Sequence, residues 1–177
     1  MIKRIADTVG IKVKYAVVDG ASSCESGNKF FNSPNDISFF DFRESGVERA
    51  RKFLGRVDVC NISGTLHCIP DWRPVLRVVR DLNPYVVCIS RAATPDCSDV
   101  EGYVIQHVTS SLGYCGDIKV VLIPRNMLIS EMKLLGMELV SQQGNDGDGN
   151  WFWGAGCSDS RFYKQTHRQF LFINKHQ

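Results

Sequence analysis

Hydrophobic and polar positions along this chain switch repeatedly between helical and strand spacing. Ile2, Ile5 and Val9 fall on one helical face, with Gly10 placed to end that helix. Tyr15-Ala16-Val17-Val18 is an apolar run that stops at Asp19-Gly20, the pattern of a strand entering a turn. Ser22 with Glu25 matches a capping box and predicts a helix reaching toward Phe31, and Ile37 to Phe40 predicts a second strand ending at Asp41. Ser45 with Glu48 repeats the capping signal, and Val47, Ala50 and Leu54 give that helix its apolar face. Val57 to Ile62 predicts a third strand, broken by Ser63-Gly64-Thr65.

The next helical pattern is the sharpest in the chain. Asp71 stands at a capping position, Pro74 falls in the first turn where a missing N–H is tolerated, and Trp72, Val75, Leu76 and Val79 share one face. Asn83-Pro84 stops it, and Tyr85 to Ile89 predicts a fourth strand. The strand runs are near-continuous rather than alternating, as expected of strands covered on both faces. Strand and helix in alternation predict a parallel α/β sheet. From 92 to 119 the pattern loosens to one strand-like run, Tyr103 to Val108. Pro124 to Leu135 predicts a helix with Leu128, Met132 and Leu135 on one face and Gly136 after it. Met137 to Val140 and Gln169 to Ile173 predict two closing strands, joined by a Gly/Asp/Asn-rich connection and paired antiparallel at one sheet edge.

Composition narrows this picture. With 177 residues, 44% of them hydrophobic and 23% charged, residues 1–177 read as a single globular domain rather than a disordered chain. The net charge, 21 − 19 = +2, is evenly spread and leaves no basic stripe for nucleic acid. The longest apolar run is Tyr85 to Ile89, too short for a transmembrane helix, and Met1 to Arg4 lacks the apolar stretch of a signal peptide. Seven cysteines form neither a zinc spacing nor an even disulfide framework, so free thiols and a cytoplasmic location are expected.

Several segments resemble class I S-adenosylmethionine-dependent methyltransferases. Tyr15-Ala16-Val17-Val18-Asp19, then Gly27, then Ile37-Ser38-Phe39-Phe40-Asp41 are similar to the second and third strands of that class. Ile62-Ser63-Gly64-Thr65-Leu66-His67, the later Asp71, Ile89-Ser90-Arg91 and Val104-Ile105-Gln106 resemble segments of one poorly characterised methyltransferase family, which usually has Gln where this chain has His67. The resemblance covers roughly residues 1–140. It implies a Rossmann-like sheet, mostly parallel with an antiparallel C-terminal edge pair, and S-adenosylmethionine as cofactor. The acceptor would be an oxygen or nitrogen of a small-molecule or glycan-type compound. It also implies that the class's first strand and its Gly-rich turn are missing, as in a truncated domain. Tyr15–Asp19 and Val57–Ile62 would then pair directly or stand as open edges through which the chain self-associates.

Asp19, at a strand's carboxyl end, suits the ribose hydroxyls of an adenosyl group, and equally suits a turn aspartate bonded to its own backbone. By the resemblance, Asp41 accepts from the adenine amine and Phe42 covers the ring; core packing is the other reading of Phe42. Ser63, Gly64 and His67 follow a strand's carboxyl end, where ligands sit in open parallel sheets. Ser63 and Gly64 would line the methyl-donor side. His67 is the one candidate general base, against the alternative of a loop histidine capping a backbone group. Cys60, His67 and Cys68 do not make a metal site, because two are adjacent and no fourth ligand is spaced to join them. Asp146 to Asn150 brushes a calcium-loop pattern, but Trp151 and Cys157 replace its required glycine and glutamate. Trp151-Phe152-Trp153 reads as an acceptor lid or as rings packed on a sheet edge. Two rival readings of the whole stand beside the enzyme: a non-catalytic binding or assembly module, and an inactive fragment.

Overall fold

The computed structural model describes residues 8, 10–31, 35–95, 99–108, 116–144 and 165–176. The expected N-terminal helix is described only at Thr8, and the segments at 146–153 and 157 lie outside the described residues. The chain divides into two compact units, Met1–Val57 and Asp58–Gln177.

The first unit runs β1 (Tyr15–Asp19), α1 (Ala21–Phe30), β2 (Ile37–Asp41) and α2 (Gly46–Leu54). β1 and β2 pair in parallel, with Tyr15 opposite Ile37 and Asp19 opposite Asp41. The helix starts immediately after Gly20, so Ser22 lies inside its first turn and the expected capping box does not form. Ser45 does occupy the cap of α2, but its backbone is left-handed at φ 53° and its hydroxyl makes no cap bond. Gly27 lets α1 approach β2 closely, because a Cβ there would run into the Phe39 ring. The neighbouring Asn28 amide pairs with both backbone groups of Phe39, donating to its carbonyl at 3.2 Å and accepting from its N–H at 3.1 Å. That closes the β2 edge facing away from β1.

The second unit holds β3 (Val59–Ser63), a 3-10 turn (Leu66–Cys68), α3 (Arg73–Leu82), β4 (Val86–Pro95), β5 (Gly102–Val108), β6 (Gly116–Leu122), α4 (Arg125–Leu134), β7 (Met137–Gly144) and β8 (Gln165–Asn174). Its main sheet has the order β3-β4-β8-β7; β3 and β4 are parallel, and β8 pairs antiparallel with both β4 and β7. The closing strands therefore pair as expected. β5 and β6 form a separate antiparallel ribbon, of which the sequence pattern showed only the first strand. Trp72, not Asp71, caps α3, because the helix begins at Arg73 with proline in its first turn.

The core of this unit joins α3, α4 and the sheet through Trp72, Leu76, Val79, Val87, Ile89, Leu128, Met132 and Phe172. β4 is buried at Val87, Ile89 and from Ala92 to Pro95, whereas β1 and β3 are more exposed than their apolar runs predict, Val59 reaching 60%. Among the described residues β1 pairs only with β2 and β3 only with β4, so the direct pairing of Tyr15–Asp19 with Val57–Ile62 is not formed.

Candidate functional site

In a parallel sheet, every strand ends at the same rim, and the residues that follow are free to face a ligand. In the first unit the rim carries Asp19 and Asp41, which stand in register on neighbouring strands. Asp19 Oδ1 accepts from the Gly20 N–H at 2.7 Å, the local turn bond of its structural reading, while the residue remains exposed. Asp41 Oδ1 accepts from the Arg43 N–H at 3.0 Å, and its side chain is 16% exposed. Phe42 is 59% exposed, with the Arg43 guanidinium 5.5 Å from its ring centre, so it is not a core residue. Behind the rim lies Cys24, whose thiol is pushed up first by burial and then by Asp19 and Asp41. Together these residues present carboxylate acceptors beside a largely exposed aromatic ring.

In the second unit Gly64 turns the chain away from β3 with φ 64°, and its N–H donates to the Ser90 carbonyl at 2.9 Å. The Thr65 hydroxyl donates to the Ser63 carbonyl at 3.1 Å, which leads the chain into the turn at Leu66. Ser63 is exposed, as the donor-side reading needs, but His67 is only 7% exposed. The turn carrying His67 packs against β6 and β4. His67 therefore sits covered in a packed turn. Cys60 is pushed up to about 11 by burial and by Cys88, so it stays a neutral thiol and a poor metal ligand near neutrality. Among the described residues no group of three His, Cys, Asp or Glu side chains could hold a metal ion.

Two arrangements were not anticipated from the sequence. The Asn28 bracket on Phe39 is one. The other is a polar knot in the second unit, where the Arg73 guanidinium donates to Glu131 at 2.9 Å and Glu101 at 3.2 Å, and Glu101 also accepts from the Trp72 indole at 3.1 Å. It ties α3, α4 and the start of β5 together over sequence separations that no local pattern reports.

No protein-family model matches this sequence, and no curated protein is significantly similar to it. Solved structures are similar in shape. The CcbJ methyltransferase from Streptomyces caelestis aligns over 94% of this chain and 81% of its own, with 9% identity and a TM-score of 0.50. The glycopeptide N-methyltransferase MtfA, complexed with S-adenosyl-L-homocysteine, aligns over 97% of this chain and 85% of its own, with 12% identity and a TM-score of 0.48. The N-terminal domain of EvdMO1, in the presence of S-adenosylhomocysteine and D-fucose, aligns over 98% and 81%, with 13% identity and a TM-score of 0.49. Among the described residues no helix is long and apolar enough to cross a membrane. With β–α–β units in both halves and the CcbJ likeness over nearly its whole length, this chain has a methyltransferase-like α/β fold.

Proposed function

We propose that this protein is an S-adenosylmethionine-dependent methyltransferase acting on an oxygen or nitrogen of a small-molecule or glycan-type acceptor. The observation that carries the reading is the in-register pair Asp19 and Asp41 at the carboxyl rim of two parallel strands, followed by the exposed Phe42. An adenosine offers hydroxyl and amine donors and a flat ring, and two carboxylates beside an aromatic face suit all three. Asp19 accepts from the ribose hydroxyls, Asp41 from the adenine amine, and Phe42 covers the base. In the second unit Ser63 and Gly64 line the donor side, and His67 takes the proton that the acceptor loses.

When bound, the cofactor supplies an electrophilic methyl group whose bond to sulfur breaks as the acceptor's bond to carbon forms, leaving S-adenosylhomocysteine. The protein contributes chiefly by positioning, since holding reactants in line lowers the barrier without many reacting side chains. A second reading, a binding module without turnover, is favoured by the burial of His67.

Isothermal titration with S-adenosylhomocysteine tests the proposal. Asp19→Ala and Asp41→Ala should each weaken binding by about tenfold or more, the loss of one or two hydrogen bonds to the ligand. Equal affinities for all three proteins would remove both carboxylates from the site.

A further inference from the structure

We infer that Arg91 forms a receiving site for a carboxylate or phosphate oxyanion at the carboxyl end of the β3–β4 pair. The starting point is the register of β4. Ile89 pairs with Phe170 and Ala92 with Arg168, so Ser90 and Arg91 together oppose the single residue Gln169. In a regular strand Arg91 would share the face of Ile89, which is 1% exposed in the core. The inserted residue changes the parity. Ile89 and Ala92, three positions apart, now enter the same core, and Arg91 is turned out of it. The backbone accepts φ 57° at Arg91, a left-handed conformation unfavourable for any residue with a Cβ.

The turned-out side chain lands in a defined place. A Cβ on Gly64 would lie 3.6 Å from the guanidinium carbon, 3.6 Å from Nη1 and 3.7 Å from Nε. Near-equal distances to three coplanar atoms mean that the guanidinium lies face-on against Gly64. Its N–H donors then point outward in the plane, the fork that matches two oxygens of a carboxylate or phosphate. Among the described residues the Arg91 side chain makes no ion pair or hydrogen bond. Around it lie Cys68, whose thiol it draws down against the upward push of burial, and the exposed Ser63 and Thr65. No carboxylate in this group competes for the fork.

Two sources can supply the oxyanion. One is the amino-acid carboxylate of the adenosyl cofactor, and the other is an anionic group on the acceptor; the choice between them rests on the proposed function, whereas the oxyanion site itself does not. The test follows the Gly64 backbone N–H resonance, with the Arg91 Nε–H beside it in the unsubstituted chain, by NMR while the full chain is titrated with inorganic phosphate or acetate. A saturable shift that disappears in Arg91→Gln, and weakens in Arg91→Lys, is expected. Arg91→Gly should also abolish it while leaving the chain no less stable, because glycine relaxes the left-handed backbone.

Calorimetry then assigns the source. If the cofactor supplies the carboxylate, Arg91→Gln weakens S-adenosylhomocysteine by about tenfold and leaves 5′-methylthioadenosine, which lacks that carboxylate, unchanged. If the acceptor supplies it, S-adenosylhomocysteine affinity is unchanged and phosphate still shifts Arg91 in the saturated protein. Phosphate binding at Arg91 in a chain that binds no S-adenosylhomocysteine would keep this site and overturn the methyltransferase reading. No saturable response of Arg91 to either anion, with unchanged S-adenosylhomocysteine affinity in Arg91→Gln, would overturn the site.

Discussion

At Asp19 one carboxylate serves both a turn and the proposed ligand, and the two roles separate by experiment. Asp19→Ala removes the Gly20 bond, worth about 1 kcal/mol, from an exposed position. The unit should stay folded by circular dichroism while ligand affinity falls. His67→Gln poses the complementary question. If His67 is the base, turnover drops by about a hundredfold and S-adenosylhomocysteine affinity holds. Unchanged turnover would leave His67 as a buried structural residue of the turn. Cys60 makes a prediction about pH. Burial raises its pKa from 9.0 to about 11, so the folded state keeps a proton that the unfolded chain gives up. The stabilisation is complete below pH 9 and is lost as pH rises toward about 11, an effect on the order of 2 kcal/mol. Chemical denaturation across that window should show less pH dependence in Cys60→Ala, and an identical slope would assign the loss to other groups.

Among the elements, α1 and β2 depend on the absence of one side chain. Gly27→Ala places a methyl group against the Phe39 ring and should destabilise the first unit by about 1–3 kcal/mol, more than helix propensity could return. Thermal melts of Gly27→Ala and of Gly27→Ala with Phe39→Leu distinguish a clash from a general effect, because the smaller partner should restore part of the loss. The open edges behave differently. β1 exposes Val18 at 38% and β3 exposes Val59 at 60%, and neither has a second ladder partner among the described residues. Exposed apolar edges favour association. Sedimentation should therefore show concentration-dependent self-association, reduced by Val59→Lys; a monomer at every concentration would refute the edge argument. Asn28 shows the opposite device at β2, where a side-chain amide occupies the edge groups before another strand can.

On the scale of the whole chain, what was legible beforehand follows from the range of each physical signal. Helix faces and apolar runs are local, so the sequence alone located β1 to β3, the four described helices and the antiparallel closing pair within a few residues, and the first half of β4, whose second half to Pro95 it missed. The strand-end positions of Asp19, Asp41, Ser63 and Gly64 were legible for the same reason, since a strand's end marks its rim. The capping boxes at Ser22 and Ser45 were misleading, because where a helix starts is set by the strand it leaves and by the backbone angle at the cap. β6 was not legible: its polar first half, Gly116 to Lys119, hides a strand that β5 completes. Burial and register were decided only by the folded chain. His67 is covered because its turn packs on β6 and β4, Phe42 is exposed although it follows an apolar run, and Arg91 is turned outward by pairing with a strand nearly eighty residues later. A sequence determines which segments can be helix or strand, because that depends on neighbours along the chain. Which side chains meet ligand and which meet core depends on partners distant in sequence, and only the tertiary structure supplies those.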